Sequence, residues 1–384
     1  MNKNLPNTQG MIAQLIAIPS VSCYHAALDM SNRAVIDLLA DWMETRGFDV
    51  EIQTVSEAKF NLIATTGSGS DGLVLSGHTD TVPCDPDLWQ SDPFQLKLKH
   101  DRLYGLGSCD MKSFLALALQ SSQSFDLRKL KRPLTIVATA DEESTMSGAK
   151  LIADNGHKLG RYCVIGEPTD LQPIRQHKGT LSESIRFTGR SGHASNPALG
   201  NNALEAMHEL IGELLRYRDG LQKQYNDPAF AIPTPTLNLG HIHGGDNSNR
   251  ICGACELLID IRFLPGMSFD TLHADVAELV ASVAERRGLA GECLIIGDEG
   301  TPAMDTAQAS EIAEHLKFLT GKSASSVAFG TEAPYYNSMQ TETVVIGPGS
   351  IDQAHQPDEF LPVDQIDPTI DMLKQLIHRF CVQA

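Results

Sequence analysis

The stretch Leu73-Val74-Leu75-Ser76-Gly77-His78-Thr79-Asp80 restricts the fold more than any other in the chain. An apolar run with glycine on either side reads as a buried strand. Open α/β sheets place their chemistry at the carboxyl ends of such strands, and His78 stands at that end. If the extended geometry continues through Thr79, His78 and Asp80 point to the same side. A carboxylate can then accept the ring N–H that a metal-ligating histidine leaves free, fixing its tautomer and direction. On these residues alone, a polar strand end with two unrelated side chains remains open.

The flanking sequence repeats the pattern. Apolar residues at helical spacing run from Gln9 to Ile18, stopped by Pro19, and from Asn32 to Arg46, with Gly47 as the stop signal. Phe48 to Val55 and Asn61 to Thr65 read as strands. Leu103 to Lys112 is glycine-rich and leads into the apolar helix Phe114 to Leu119. Asp110 just ahead of it is either a helix cap or a group that glycines allow to approach an ion closely. The strand Leu134 to Thr139 ends in Asp141-Glu142-Glu143, and Val164-Ile165 ends in Gly166-Glu167. Each acid alone fits a solvated turn. Together with His78 they form a convergence expected of a metal site.

From Gln176 the texture changes. A strand to Thr188, a helix Ala203 to Tyr217, strands Thr236 to His243 and Cys255 to Phe263, a helix Phe269 to Arg287 and a strand Glu292 to Ile296 follow the β-α-β-β-α-β order of a ferredoxin-like unit. The first pattern then resumes, with a helix Gln308 to Leu319, a strand Thr343 to Gly347 and a closing helix Ile366 to Phe380. The expected division is a first catalytic part over 1–174, an inserted domain over 175–298 and a second catalytic part over 299–384. In the returning part, the loop from Gly347 ends in His355, beside Gln356-Pro357-Asp358-Glu359. A loop histidine is commonly a surface residue, yet this one would complete a two-metal carboxylate site.

A chain of 384 residues suggests two domains or one large one. Its formal net charge of -18 argues against nucleic acid or anionic membrane as partners. The opening Met1-Asn2-Lys3-Asn4-Leu5-Pro6 lacks the pattern of a leader, and no apolar run is long enough to span a bilayer, so a cytoplasmic location is expected. The eight cysteines are scattered, which suits reduced thiols. Only Cys252-Gly253-Ala254-Cys255 has metal or redox spacing. At the start of a strand that spacing would send the two thiols to opposite faces.

The ordered set Leu75-Ser76-Gly77-His78-Thr79-Asp80, Gly107-Ser108-Cys109-Asp110-Met111-Lys112, Asp141-Glu142-Glu143, Gly166-Glu167-Pro168, Gly192-His193-Ala194-Ser195 and Ala354-His355-Gln356-Pro357 resembles the M20 family of metallopeptidases, a group of dinuclear zinc amidohydrolases. The resemblance covers almost the whole chain. It implies an α/β catalytic domain, with a central mixed sheet flanked by helices, and an inserted ferredoxin-like α+β dimerisation domain, the lid.

The resemblance further implies two Zn2+ per subunit, with Co2+ as an alternative ion. His78 and Glu167 would hold one metal, Glu143 and His355 the other, and Asp110 would bridge them. Asp80 would orient His78, and Glu142 would be the general base. Hard divalent ions suit carboxylate and imidazole ligands, and a water between two of them becomes a nucleophile near neutral pH. A cis peptide at Asp110-Met111 is also implied. In the lid, His193 would stabilise the developing oxyanion of the partner's site. Asn249 matches an Asn-x-Ile-Pro motif in which Cys252 replaces the proline. Arg262 suits bidentate capture of a substrate carboxylate, with a surface ion pair as its plainer reading.

The phrases Gly330-Thr331-Glu332-Ala333-Pro334 and Gln353 to Glu359 resemble the branch of the family that removes the acetyl group of N2-acetyl-L-ornithine in arginine biosynthesis. On that resemblance Thr331 and Glu332 would meet the substrate, Glu332 through the ornithine ammonium. A desuccinylase acting on succinyl-diaminopimelate, a dipeptidase, and a metal-dependent binding protein without turnover are the alternatives.

Overall fold

The computed structural model describes residues 5–156, 158–297 and 300–383. They divide into two units. The first takes its described residues from 5–175, 306–325 and 331–383, the second from 176–305 and 326–330. The expected boundary between 298 and 299 falls outside the described residues, as do the first four positions of the expected leaderless start.

Six strands of the first unit lie side by side in the order Asp49–Thr54, Phe60–Thr66, Leu134–Thr139, Leu73–His78, Tyr162–Ile165 and Glu342–Val345. The first two pairings are antiparallel and the next three parallel, so the sheet is mixed. Parallel neighbours need crossovers, which the helices Lys112–Ser122 and Ser147–Asp154 supply. Leu73–His78 and Leu134–Thr139 are buried at every residue, as expected of strands covered on both faces.

Helix Lys112–Ser122 is buried along its whole length except Gln120. It exceeds the expected Phe114 to Leu119 because its polar ends find partners inside the protein. The Lys112 ammonium donates to the Ile18 carbonyl and the Ser20 hydroxyl. Ser121 and Ser122 donate to carbonyls of their own helix. Apolar periodicity cannot mark such residues as interior.

In the second unit the sheet order is Thr236–Gly244, Ala254–Phe263, Gly179–Thr188, Ala290–Ile295, antiparallel throughout. Helices Ala203–Gln224 and Phe269–Arg287 complete the β-α-β-β-α-β unit. The Ala254–Phe263 strand alternates between buried and half-exposed residues. Its buried Leu257, Ile259 and Ile261 join Leu181, Ile185 and Phe187 from the next strand and Met207, Leu210, Val276 and Val280 from the helices. Within this apolar face sits one acid, Glu183, which is 0% exposed.

All eight cysteines are free thiols. Cys252 and Cys255 join one core rather than opposite faces. The strand starts only at Ala254, so Cys252 lies in the preceding loop, its thiol 3.0 Å from the Ala254 carbonyl. No helix among the described residues is long and apolar enough to cross a membrane.

Candidate active site

Parallel register explains how residues distant in sequence meet. His78 ends its strand directly opposite Thr139, and Ser76 lies opposite Ile165. The carboxyl ends of three adjacent strands therefore share one edge, and the acids just beyond Thr139 and Ile165 arrive beside His78. The Asp110–Met111 peptide is cis and immediately precedes helix Lys112–Ser122. Asp110 is not the helix cap, a position taken by Met111.

Asp110 turns one oxygen toward each histidine. Its Oδ1 is 3.1 Å from His78 Nε2, and its Oδ2 is 3.6 Å from His355 Nε2. Glu167 Oε1 lies 4.0 Å from His78 Nε2. Glu143 Oε2 lies 2.9 Å from His355 Nε2. His78, Asp110 and Glu143 each present a ligand atom, all within 4.8 Å of one another. The structure thus brings His78, Asp110, Glu143, Glu167 and His355 to one place, with Glu142 within electrostatic reach of His78, Glu143 and Glu167.

Packing acids together in a desolvated pocket raises their affinity for protons. Burial, then the charge of Glu167, holds Glu142 well above the usual carboxylate range. Burial and Asp110 do the same for Glu167. Burial opposes charge on His78, but Asp110, Glu167, Glu142 and Asp80 outweigh it and hold the imidazolium well above its ordinary value. Glu167 Oε1 is buried without a hydrogen-bond partner. An orphaned buried oxygen beside two histidines and clustered carboxylates is a donor set suited to hard divalent ions.

Asp80 differs in detail from the sequence expectation. His78 Nδ1 is 3.0 Å from the Asp80 backbone carbonyl, and the carboxylate Oδ1 stands farther off at 3.7 Å. The other carboxylate oxygen accepts the Glu143 amide hydrogen at 3.0 Å. The strand ends at His78, so the chain turns there and the carbonyl reaches the ring first. Asp80 thereby fixes both His78 and the backbone of Glu143. The three consecutive acids also divide. Asp141 pairs with Lys59 at 2.9 Å and accepts from Ser22 at 2.7 Å, while its neighbours face the site.

Sequence reasoning gave Glu359 no role, yet its carboxylate accepts the amide hydrogens of Gly107, Cys109 and Asp110, at 3.1, 2.7 and 3.0 Å. No local signal links positions so far apart in the chain. The glycine-rich loop and the pair Asp358-Glu359 after His355 are the only hints. Burial, with Asp110 nearby, pushes Glu359 up to about 8 against the pull of those amides.

Thr331 and Glu332 are 0% and 1% exposed. Glu332 accepts from the Thr139 hydroxyl at 2.9 Å, and burial lifts it to about 7. It thus lies against the end of strand Leu134–Thr139, within electrostatic reach of His78 and Asp80. His193, Asn249 and Arg262 belong to the second unit. The Asn249 carbonyl accepts the Ala194 amide hydrogen at 2.9 Å and so fastens the His193 loop. His193 Nδ1 lies 2.7 Å from the Ser195 hydroxyl and 3.2 Å from the Ser195 amide nitrogen. Arg262 pairs with Asp260 at 2.8 Å and donates to Thr180 at 3.0 Å.

Known proteins resemble this chain in sequence and in fold. The family model described as Peptidase family M20/M25/M40 matches residues 74–379. An acetylornithine deacetylase of Proteus mirabilis is 48% identical, over 100% of this chain and 99% of that protein. Among solved structures, aminopeptidase PepT from Bacillus cereus superposes with a TM-score of 0.75 at 18% identity, covering 99% of this chain and 100% of that one. The Bacillus subtilis protein YXEP, a dinuclear metal-binding peptidase, gives a TM-score of 0.66 at 15% identity, with 96% of each chain covered. At such identities the two structures speak for the fold alone. The model match and the full-length identity go further: this chain belongs to peptidase family M20/M25/M40.

Proposed function

We propose that the chain hydrolyses the amide of N2-acetyl-L-ornithine, releasing ornithine and acetate, as a cytoplasmic homodimer serving arginine biosynthesis. The observation that carries this reading is the 48% identity to an acetylornithine deacetylase along the full length. The ligand cluster supplies the chemistry.

His78 and Glu167 would hold one divalent ion and Glu143 and His355 a second, with Asp110 between them through its two oxygens. Zinc or cobalt bound there would polarise the acetyl carbonyl and acidify water. Glu142 takes the proton of the attacking water and delivers it to the leaving amine, a role suited to a carboxyl group whose surroundings raise its proton affinity. Asp80 keeps His78 and the Glu143 backbone in place. A ring N–H of His193 stabilises the carbonyl oxygen as it gains charge, contributed by the lid of a second copy. Arg262 captures the substrate carboxylate by exchanging Asp260 for it, and Asn249 steadies the His193 loop. Thr331 and Glu332 set the polarity of the site, Glu332 drawing the substrate ammonium toward it.

The test is a side-by-side assay of the zinc- or cobalt-loaded enzyme on acetylornithine, succinyl-diaminopimelate and simple dipeptides. A kcat/KM for acetylornithine at least tenfold above the others is expected. A preference for either rival substrate overturns the substrate assignment, and no turnover on any overturns the hydrolase reading.

A further inference from the structure

The acid on the apolar face of the second unit is chemically out of place. Strand Gly179–Thr188 alternates so that Leu181, Glu183 and Ile185 all face the helices. A carboxylate there is costly unless it is fully partnered. Glu183 has few polar neighbours, the His273 ring and the Cys293 thiol. One oxygen meets His273 Nδ1 at 2.5 Å, while Oε2 is buried with no hydrogen-bond partner.

The neighbouring strand and helix supply what else lies there. In the antiparallel pairing with Ala290–Ile295, Ile295 stands opposite Glu183 and Cys293 opposite Ile185. Cys293 is therefore the diagonal neighbour of Glu183 on the same face. His273 comes from helix Phe269–Arg287, which covers that face through Leu272 and Val276. Glu183, His273 and Cys293 each offer one ligand atom, and these atoms lie within 4.8 Å of one another. The His273 side chain is 31% exposed, so the cluster opens to solvent on one side.

We propose that Glu183, His273 and Cys293 form a further metal site, separate from the catalytic cluster, which binds a single transition-metal ion such as zinc. The mixed nitrogen, oxygen and sulfur donors exclude calcium and magnesium, which take oxygen ligands, and suit an ion of intermediate softness. Three protein donors with one open side leave a position for water, completing four-coordination. An ion there satisfies the orphaned oxygen of Glu183. It also ties the two strands and the helix into one brace.

A sulfur donor distinguishes this site from the catalytic one, whose ligands are carboxylates and imidazoles. The full-length protein, stripped with chelator and saturated with Co2+, is expected to show a near-ultraviolet thiolate-to-cobalt charge-transfer band. The band should disappear in Cys293→Ser while hydrolytic activity is kept. Metal analysis after gel filtration should find one equivalent per chain fewer in Cys293→Ser than in the parent. His273→Gln should give the same deficit, which covers the case in which one variant folds poorly. The absence of the band from the cobalt-saturated parent overturns the proposal. So does a band that survives in Cys293→Ser, or equal metal content in all three proteins.

Discussion

Glu359 shows how much of the candidate metal site rests on a residue outside the proposed ligand set. Its carboxylate gathers three amide hydrogens of the loop that delivers Asp110. Glu359→Gln keeps the size but turns one acceptor into a donor facing N–H groups. Metal affinity should fall by about 10–100-fold, the usual scale for losing a group that orients a ligand. Competition against a chromophoric chelator reads this directly, and unchanged affinity would show that the loop holds itself. A second expectation concerns His355. Its hydrogen bond to Glu143, outweighing burial, pushes the imidazolium up to about 9 in the metal-free protein. The free site therefore carries a proton below pH 9 that a metal must displace, since the ligand imidazole is neutral. Because His78 and Glu167 hold protons as well, zinc affinity of chelator-stripped protein should rise by at least about tenfold per pH unit from neutral pH to near 9. A flat profile in stepped-pH titrations would contradict it. His78, Asp110, Glu143, Glu167 and His355 could be picked out from the sequence because each follows a strand or a glycine-rich loop. The Glu359 clamp could not, because its partners lie some 250 positions away.

At the scale of elements, the buried strands were legible because an apolar run of that length has few other uses. Leu134–Thr139 and Phe269–Arg287 match their expected limits. Helix Lys112–Ser122 was too short in the sequence reading, because hydrogen bonds to distant carbonyls are invisible to periodicity. This helix also sets the tolerance of the site. A Cβ at Gly166 would come within 2.0 Å of the Phe114 ring, so helix and strand end meet with no room for a methyl group. Gly166→Ala should cost about 1–3 kcal/mol of stability through overpacking and displace Glu167, lowering metal content. Trimming the ring, in Gly166→Ala with Phe114→Leu, should restore part of both. Thermal melts and metal analysis of the pair decide the matter, and a fully stable single variant would count against this close contact.

For the whole molecule, the β-α-β-β-α-β unit was readable from the order of its elements, whereas its return to the first unit was not. The second unit takes its described residues from 176–305 and also from 326–330. Such contacts form across the chain and leave no local mark. The homodimer proposal has its own test. Glu142→Ala and His193→Ala proteins, each with turnover reduced by about 100-fold or more, should regain activity when mixed and allowed to exchange subunits. In a mixed pair, one site then keeps both groups. No recovery, with exchange verified by mass spectrometry, would place the histidine in its own chain's reaction.

Asp110 and His355 lie on opposite sides of the inserted unit in the sequence, yet stand 3.6 Å apart. A ribosome therefore makes His78, Asp110, Glu143 and Glu167 long before it makes the last donor and the Glu359 clamp. The nascent protein can fold its second unit while its donor set is still unfinished. On the proposed ligand set, only the site shared by Glu143 and His355 waits for the last stretch of chain, so a chain cut short before residue 355 should bind one ion fewer than the full-length protein.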